Sequence, residues 1–310
     1  MPKSDATARP PLEFPPDIEC AFNEHRRRSR LAAETIVSEY GSSAAYRTGL
    51  LLQTIDTPSD PQLPAFYDLY KQVFTLADER EPLEGFTAVL ALNEDGPAQR
   101  EFGPFHELML VARDPRSLEI VAAVNFTLYA YPDRAYAFDA SCQMHFLMVR
   151  EDMRGLGIGN SLIGEVEKAI TAFVRTHGGL ACPRAFMTCE QNNPALMTRD
   201  EILADARAAL IHPYARMDWW RERGFRRLDF RYMQPPLSPD HAPCTYLDYY
   251  ARPSNATSET ITSIPSDVLI EHLRRFFFIS VGKLAFDMNA NPQWQTVRAA
   301  LGKAGSVALI

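Results

Sequence analysis

Cysteine is scarce and scattered. Cys20, Cys142, Cys182, Cys189 and Cys244 are odd in number and form no C-x-x-C pair. Neither a disulfide framework nor a zinc site is expected from them. Long apolar runs are missing too. Phe276-Phe277-Phe278-Ile279 is far shorter than the roughly 20 residues that a membrane span requires. Met1 to Pro16 is polar and proline-rich and holds no apolar signal core, so a reducing cytoplasm is the expected compartment. There is no basic excess: 32 Lys and Arg face 39 Asp and Glu, a formal net charge of -7. That balance argues against a general nucleic-acid binder. The phosphate-binding pattern G-x-x-x-x-G-K-[ST] is absent, as is any internal repeat.

What is present is a globular balance, 46% hydrophobic and 23% charged over 310 residues. A chain of this length buries a sizeable core without a metal or disulfide staple. Residues 1–16 read as a disordered arm. Asp17 is placed to cap a helix ending at Gly41, and 17–47 read as a helical extension. Its basic run, Arg26 to Arg30, reads as a solvated helix face. From Gly49 onward the pattern alternates: a strand at Leu50 to Ile55, helices around Phe66 to Phe74 and Leu83 to Leu92, then three long strands. These are Glu107 to Val111, Ile120 to Tyr131 and Ala135 to Val149, joined through Asp114-Pro115-Arg116 and Pro132-Asp133-Arg134 as an antiparallel meander. After a glycine-rich turn comes a helix with Leu162, Ile163, Val166, Ile170 and Phe173 on one face. It stops near Gly178-Gly179. A strand at Arg184 to Cys189, helical residues 195–223 and strands at 226–233 and 245–250 complete this part. Residues 253–310 read as a Ser/Thr-rich linker and a helix capped by Ser266-Asp267.

The informative segment is the end of the long strand, His145 to Val149, followed by Arg154-Gly155-Leu156-Gly157-Ile158-Gly159. A strand, a glycine turn and a helix bring unpaired N–H groups and the positive end of a helix dipole to one spot, which suits a pyrophosphate. The glycines alternate as G-x-G-x-G rather than the G-x-G-x-x-G of a dinucleotide fold, and the strands before them read as antiparallel.

These residues resemble the GNAT acyltransferase superfamily. Arg154, Gly157 and Gly159 match its [R/Q]-x-x-G-x-[G/A] signature, Leu147 and Val149 match the strand before it, and Trp219 to Phe225 looks like its aromatic-x-x-x-Gly-Phe segment. The resemblance covers 48–252. It implies an α+β fold with a mixed, mostly antiparallel sheet of about seven strands flanked by helices; the chain adds N- and C-terminal helices. It implies acetyl-CoA or another acyl-CoA as co-substrate and no metal. Leu147, Met148 and Val149 would line the pantetheine arm, and Arg154, Gly155, Leu156, Gly157, Ile158, Gly159 and Asn160 would hold the pyrophosphate. The implied reaction is direct attack by a primary amine, carried by a small molecule or a peptide. A base removes the amine's proton, and a backbone N–H at the end of the long strand steadies the oxyanion.

The chain also departs from the pattern. Gln143 stands where many members have Glu. His145, two residues on and facing the same side, is then a candidate base or water relay. Glu190, ending a strand expected to splay from its neighbour, is a candidate for binding the ammonium or taking its proton. Trp220 stands where the usual acid is Tyr, which leaves Tyr214 as the substitute. Arg216 can anchor a carboxylate or pair with a nearby acid, and Tyr232 reads as structural. The segments His212 to Arg216 and Tyr232 to Leu237 look like those of a poorly described bacterial subgroup with D-P-x-x-R and Y-x-Q-P-x-L patterns. The alternative to an enzyme is a degenerate module that binds acyl-CoA as a sensor or scaffold. No nucleic acid or membrane partner is expected. The apolar face of the C-terminal helix is expected to pack on the domain or in a homodimer.

Overall fold

The computed structural model describes residues 9, 11–76, 80–131, 136–178, 183–236, 243–254, 260–285 and 287–310. The expected disordered arm thus lies largely outside the described residues. So do the turn at Pro132-Asp133-Arg134, Gly179, Cys182, Leu237 and the start of the Ser/Thr-rich linker.

Seven strands form one sheet: β1 (Leu51–Ile55), β2 (Phe105–Arg113), β3 (Ile120–Ala130), β4 (Ala140–Val149), β5 (Ala185–Asn192), β6 (Arg226–Arg227) and β7 (Leu247–Pro253). Their order is β1-β2-β3-β4-β5-β7-β6, and only β4 and β5 run parallel. This is the α+β architecture expected. β6 is much shorter than the strand read at 226–233. After Arg227 the chain turns away, with Leu228 bridging to Leu309 near the C-terminus.

Alternation along β5 assigns the two faces of the sheet. Ala185, Met187 and Cys189 point to a core shared with α6 (Ile158–Gly178), α1 (Pro16–Tyr40), α2 (Ser43–Gly49) and α8 (Pro213–Glu222). Phe186 points to the other face. There it packs with α9 (Ser266–Arg275), the π-helical segment Phe276–Val281 and α10 (Pro292–Leu301). Farther along the same face, α3 (Leu63–Val73) and α4 (Leu83–Ala91) cover β1 to β4. The sequence reading did not separate α5 (Gly96–Phe102), α10, or the strand pair β8 (Ser263–Pro265) and β9 (Ser306–Ala308). α7 (Arg199–Ala209) opens with a capping box between Thr198 and Glu201.

Two expected caps are corrected. α1 starts after Pro15 with no side-chain cap, and Asp17 sits in its first turn, where a carboxylate favours the helix dipole. α9 follows Pro265 in the same way, with Ser266 inside the helix. Gly41 does end α1, at φ 81°.

α9 is pinned to the sheet by a polar network. The His272 Nδ1 lies 2.8 Å from Ser141 Oγ, and its Nε2 lies 2.9 Å from Thr188 Oγ1 and 2.8 Å from Tyr249 Oη. Gln143 joins through its Oε1, which accepts from Thr188 at 2.6 Å and Tyr249 at 2.5 Å. Burial, then Arg275 and His145, push the His272 pKa down to about 3. The unfolded chain binds this proton near pH 6.5 and the folded chain does not. Stability is therefore present above pH 6.5 and is lost as pH falls toward 3. Between pH 6.5 and 5 the loss from this residue is about 2 kcal/mol. Urea unfolding at the two pH values should show the native chain losing about that much more stability on acidification than His272→Gln does. An equal pH dependence in both would remove His272 as its source.

Candidate active site

β4 and β5 pair from Ala140–Ala185 to Met144–Cys189 and no farther. Beyond that point both strands continue, β4 to Val149 and β5 to Asn192, so an opening forms between them. A bulge in β4 sits at the start of it. Asn125 of β3 faces Phe146 and Phe126 faces Met144, which leaves His145 as the extra residue. Bulges re-aim side chains. Here Met144 and Leu147 pack toward α6, whereas His145 and Phe146 both face the side of α3 and α9.

On that side lies a cavity of about 630 Å³, bounded by β2 to β5, by α4 and by the C-terminal segment. His145 and Glu190 both line it, as do Glu107, Phe146, Gln234 and Phe276. The His145 Nε2 lies 2.7 Å from Thr127 Oγ1 and 3.4 Å from Glu107 Oε2. Glu107 is buried and also accepts from Asn125 Nδ2 at 2.5 Å and from the Thr127 hydroxyl. Burial works against its charge, but His145 and the hydrogen bonds hold its pKa below the usual carboxylate range. A buried carboxylate thus orients the imidazole, an arrangement the sequence did not reveal. Glu107 and His145 lie on different strands and meet only through the register of β2, β3 and β4, in which Glu107 faces Thr127 and Thr127 faces Gln143.

Glu190 has no cationic partner among the described residues. Its Oε1 accepts from the Tyr232 hydroxyl and its Oε2 from Gln234 Nε2 at 3.2 Å. Burial pushes its pKa up to about 7, against the hydrogen bond from Tyr232 and the charge of His145. Tyr232 therefore holds the candidate carboxylate. The Y-x-Q spacing explains how: two side chains from alternate positions reach the two oxygens.

Gln143 is fully buried inside the His272 network and cannot take a proton. Trp220 packs edge-on to Phe225. Tyr214 is not among the residues lining the cavity; its ring packs on the α6 side, with the Arg9 guanidinium 5.0 Å above it. The structure does not bring it to His145 and Glu190. Arg216 pairs with the buried Asp205 at 2.8 Å, the second of the two roles read for it.

At the other end of the opening, Gly155 and Gly157 adopt φ 84° and 78°, a conformation that favours glycine. The turn leads directly into α6. A polar crevice there is lined by Arg47, Gly157, Asn160, Ser161, Glu222 and Arg223. The Arg47 Nη1 donates to Leu156 O at 2.6 Å, and a Cβ on Gly157 would come within 3.0 Å of that nitrogen. Arg154 is not among the residues lining this crevice. Its guanidinium donates to Val149 O at 3.3 Å and to Ala209 O at 3.2 Å, and it lies 3.3 Å from His25 Nε2. It ties β4, α7 and α1 together, while Arg47 and Arg223 supply the cationic groups at the turn. Among the described residues no group of His, Cys, Asp and Glu could hold a metal ion, and no helix is long and apolar enough to cross a membrane.

No family model and no curated protein matches the sequence. Solved structures give low-scoring likenesses. The NatC complex bound to Gag peptide and CoA contains a chain 14% identical, aligned over 66% of this chain and 98% of that one, at a TM-score of 0.39. Naa50 of Arabidopsis thaliana, in complex with the bisubstrate analogue CoA-Ac-MVNAL, is 14% identical over 66% and 98%, at 0.38. The ribosomal-protein-S18-alanine N-acetyltransferase of Escherichia coli is 13% identical over 68% and 98%, at 0.39. At these values they assign no activity. The fold rests on the strand order, the single parallel pair β4–β5 that opens beyond Met144, and the glycine turn joining β4 to α6. That topology is the α+β arrangement that the sequence resemblance implies.

Proposed function

We propose that the chain is an N-acyltransferase that takes an acyl group from acetyl-CoA, or another acyl-CoA, and places it on a primary amine in a ternary complex. The observation that carries this reading is the opened β4–β5 pair. It has a glycine turn and a helix N-terminus at one end, and a carboxylate with a pKa near 7 in the cavity at the other. Acyl-CoA supplies the acyl group as an activated thioester. The residues present fit it. Past Met144 the β5-facing edge of Leu147, Met148 and Val149 has no strand partner among the described residues, so it can pair with an extended arm. The amides of residues 155–160 suit a pyrophosphate, with Arg47 and Arg223 beside them.

Glu190 receives the amine as its ammonium and accepts the proton from its nitrogen; a base with a pKa near the working pH is matched to that task. His145, fixed by Glu107 and Thr127, orients the nucleophile or relays the proton through water. Tyr214 does not line the cavity and Trp220 is packed on Phe225, so the thiolate takes its proton from solvent. One observation favours the second reading, a module that binds acyl-CoA without turning it over: Gln143 is locked in a structural network at the position where the resemblance expects a carboxylate.

Saturating CoA should raise the melting temperature by roughly 5 °C, about 2.7 kcal/mol at a hundred times its dissociation constant. Gly157→Val should remove the ligand-induced shift, whatever its own melting temperature. No shift at millimolar CoA would count against both readings.

A further inference from the structure

We propose that the amine acceptor is a small molecule with a compact apolar body, and that the C-terminal segment Phe276–Val281 completes the pocket that selects it. The inference rests on the acyltransferase reading and goes beyond it in naming the class of amine. Four carboxylates line the cavity. Glu81 pairs with Lys283 at 3.1 Å, Glu107 with His145, and Glu201 accepts from Thr198 N at 2.6 Å and from its hydroxyl at 2.8 Å. Glu190 and Glu201 have only neutral donors among the described residues, and of the two Glu190 is the one at the start of the β4–β5 opening. An ammonium seated there lies next to the opening that would take the thioester.

Four phenylalanines supply much of the apolar wall. Phe74, Phe86, Phe146 and Phe276 line the cavity. The Phe146 ring lies 5.1 Å from Phe74 and 5.9 Å from Phe86, and Phe276 lies 5.5 Å from the His145 ring. An apolar body leaves water by settling on these rings. A polyamine that set its second charge against these rings would lose its hydration there. A peptide would bring unpaired backbone groups there, at a similar cost. A volume of about 630 Å³ suits one small ligand together with the thioester end.

The last wall comes from outside the region that carries the resemblance. The π-helical turn at Phe276–Val281 places Phe276, Ser280 and Val281 on the cavity. Lys283, through Glu81, fastens this segment to the chain entering α4.

The test uses the full chain with acetyl-CoA and compares initial rates for phenethylamine, isoamylamine, spermidine and a six-residue peptide with a free N-terminus. The two apolar amines should show a kcat/KM at least about tenfold above the other two. Phe276→Ala should raise the KM for phenethylamine about tenfold and leave the stabilisation by CoA intact. If that variant does not fold, Phe146→Leu serves, with the same loss expected in milder form. Spermidine or the peptide matching the apolar amines would overturn the inference and leave the acyltransferase reading standing. So would acylation of spermidine or the peptide with no apolar amine acylated, whereas stabilisation by CoA with none of the four acylated would remove both. Failure to bind CoA would remove both.

Discussion

Replacing Glu190 with Gln should lower kcat/KM for the amine by about 100-fold or more, the usual cost of losing a general base. The same change should make the folded chain more stable at pH 8. The two effects share one cause. Burial raises the Glu190 pKa to about 7, above the value near 4.3 of an exposed glutamate. Over that interval the folded chain binds more protons than the unfolded one, so stability falls as pH rises from about 4.3 to 7. Above pH 7 the charge on this half-buried carboxylate carries that cost, which the amide of Gln does not incur. Activity has the opposite dependence, because Glu190 must be ionised to take a proton: kcat/KM should fall below about pH 7. That limb should disappear in Glu190→Gln. In His145→Ala turnover should also drop, but the limb should remain and move to higher pH, since the charge of His145 is one of the forces holding Glu190 down. A limb that vanishes in His145→Ala and persists in Glu190→Gln would make histidine the base.

A chain ending at Ser254 should not reach a soluble folded state. Val268, Leu269, Leu273, Phe276 and Phe277 are all buried against the sheet face that carries Phe186, Tyr249 and Ala251. Each large apolar side chain buried in this way contributes roughly 1.5–3 kcal/mol. Losing all five removes roughly 7.5–15 kcal/mol, which is as large as the margin of about 5–15 kcal/mol by which domains fold. His272 would be lost too, leaving Ser141, Thr188 and Tyr249 without that partner. Expression of the shortened chain, followed by gel filtration and thermal melting, checks this. A soluble monomer with the native melting temperature would show that the C-terminal helices are an appendage rather than part of the fold.

The elements that carry the resemblance were legible because their signals are local. The β4 strand, the glycine turn and α6 follow one another between Ala140 and Gly178, and alternation, glycine spacing and helical periodicity mark each in turn. His145 and Glu190 could be singled out from position alone. What surrounds them could not. Glu107 reaches His145 through the register of three strands, and the bulge that puts Phe146 on the same face as His145 is a pairing shift with no composition of its own. Arg154 fits the signature, yet its guanidinium is spent within the protein, while Arg47 from the N-terminal extension reaches the turn through the packing of α2. The π-helical wall depends in the same way on how α9 docks. Caps were misplaced where proline precedes the helix, because Asp17 and Ser266 look like caps until Pro15 and Pro265 take that position.

The most direct measurement is a count of products with the full chain, acetyl-CoA and an apolar primary amine: free thiol released, against N-acetylated amine detected by mass spectrometry. An N-acyltransferase working through the β4–β5 opening releases one thiol per amine acylated, only when both substrates are present, and at least about 100-fold more slowly in Glu190→Gln. Stabilisation by CoA with no amine-dependent thiol release from any amine tried would contradict it, and would leave a module that binds acyl-CoA without turning it over.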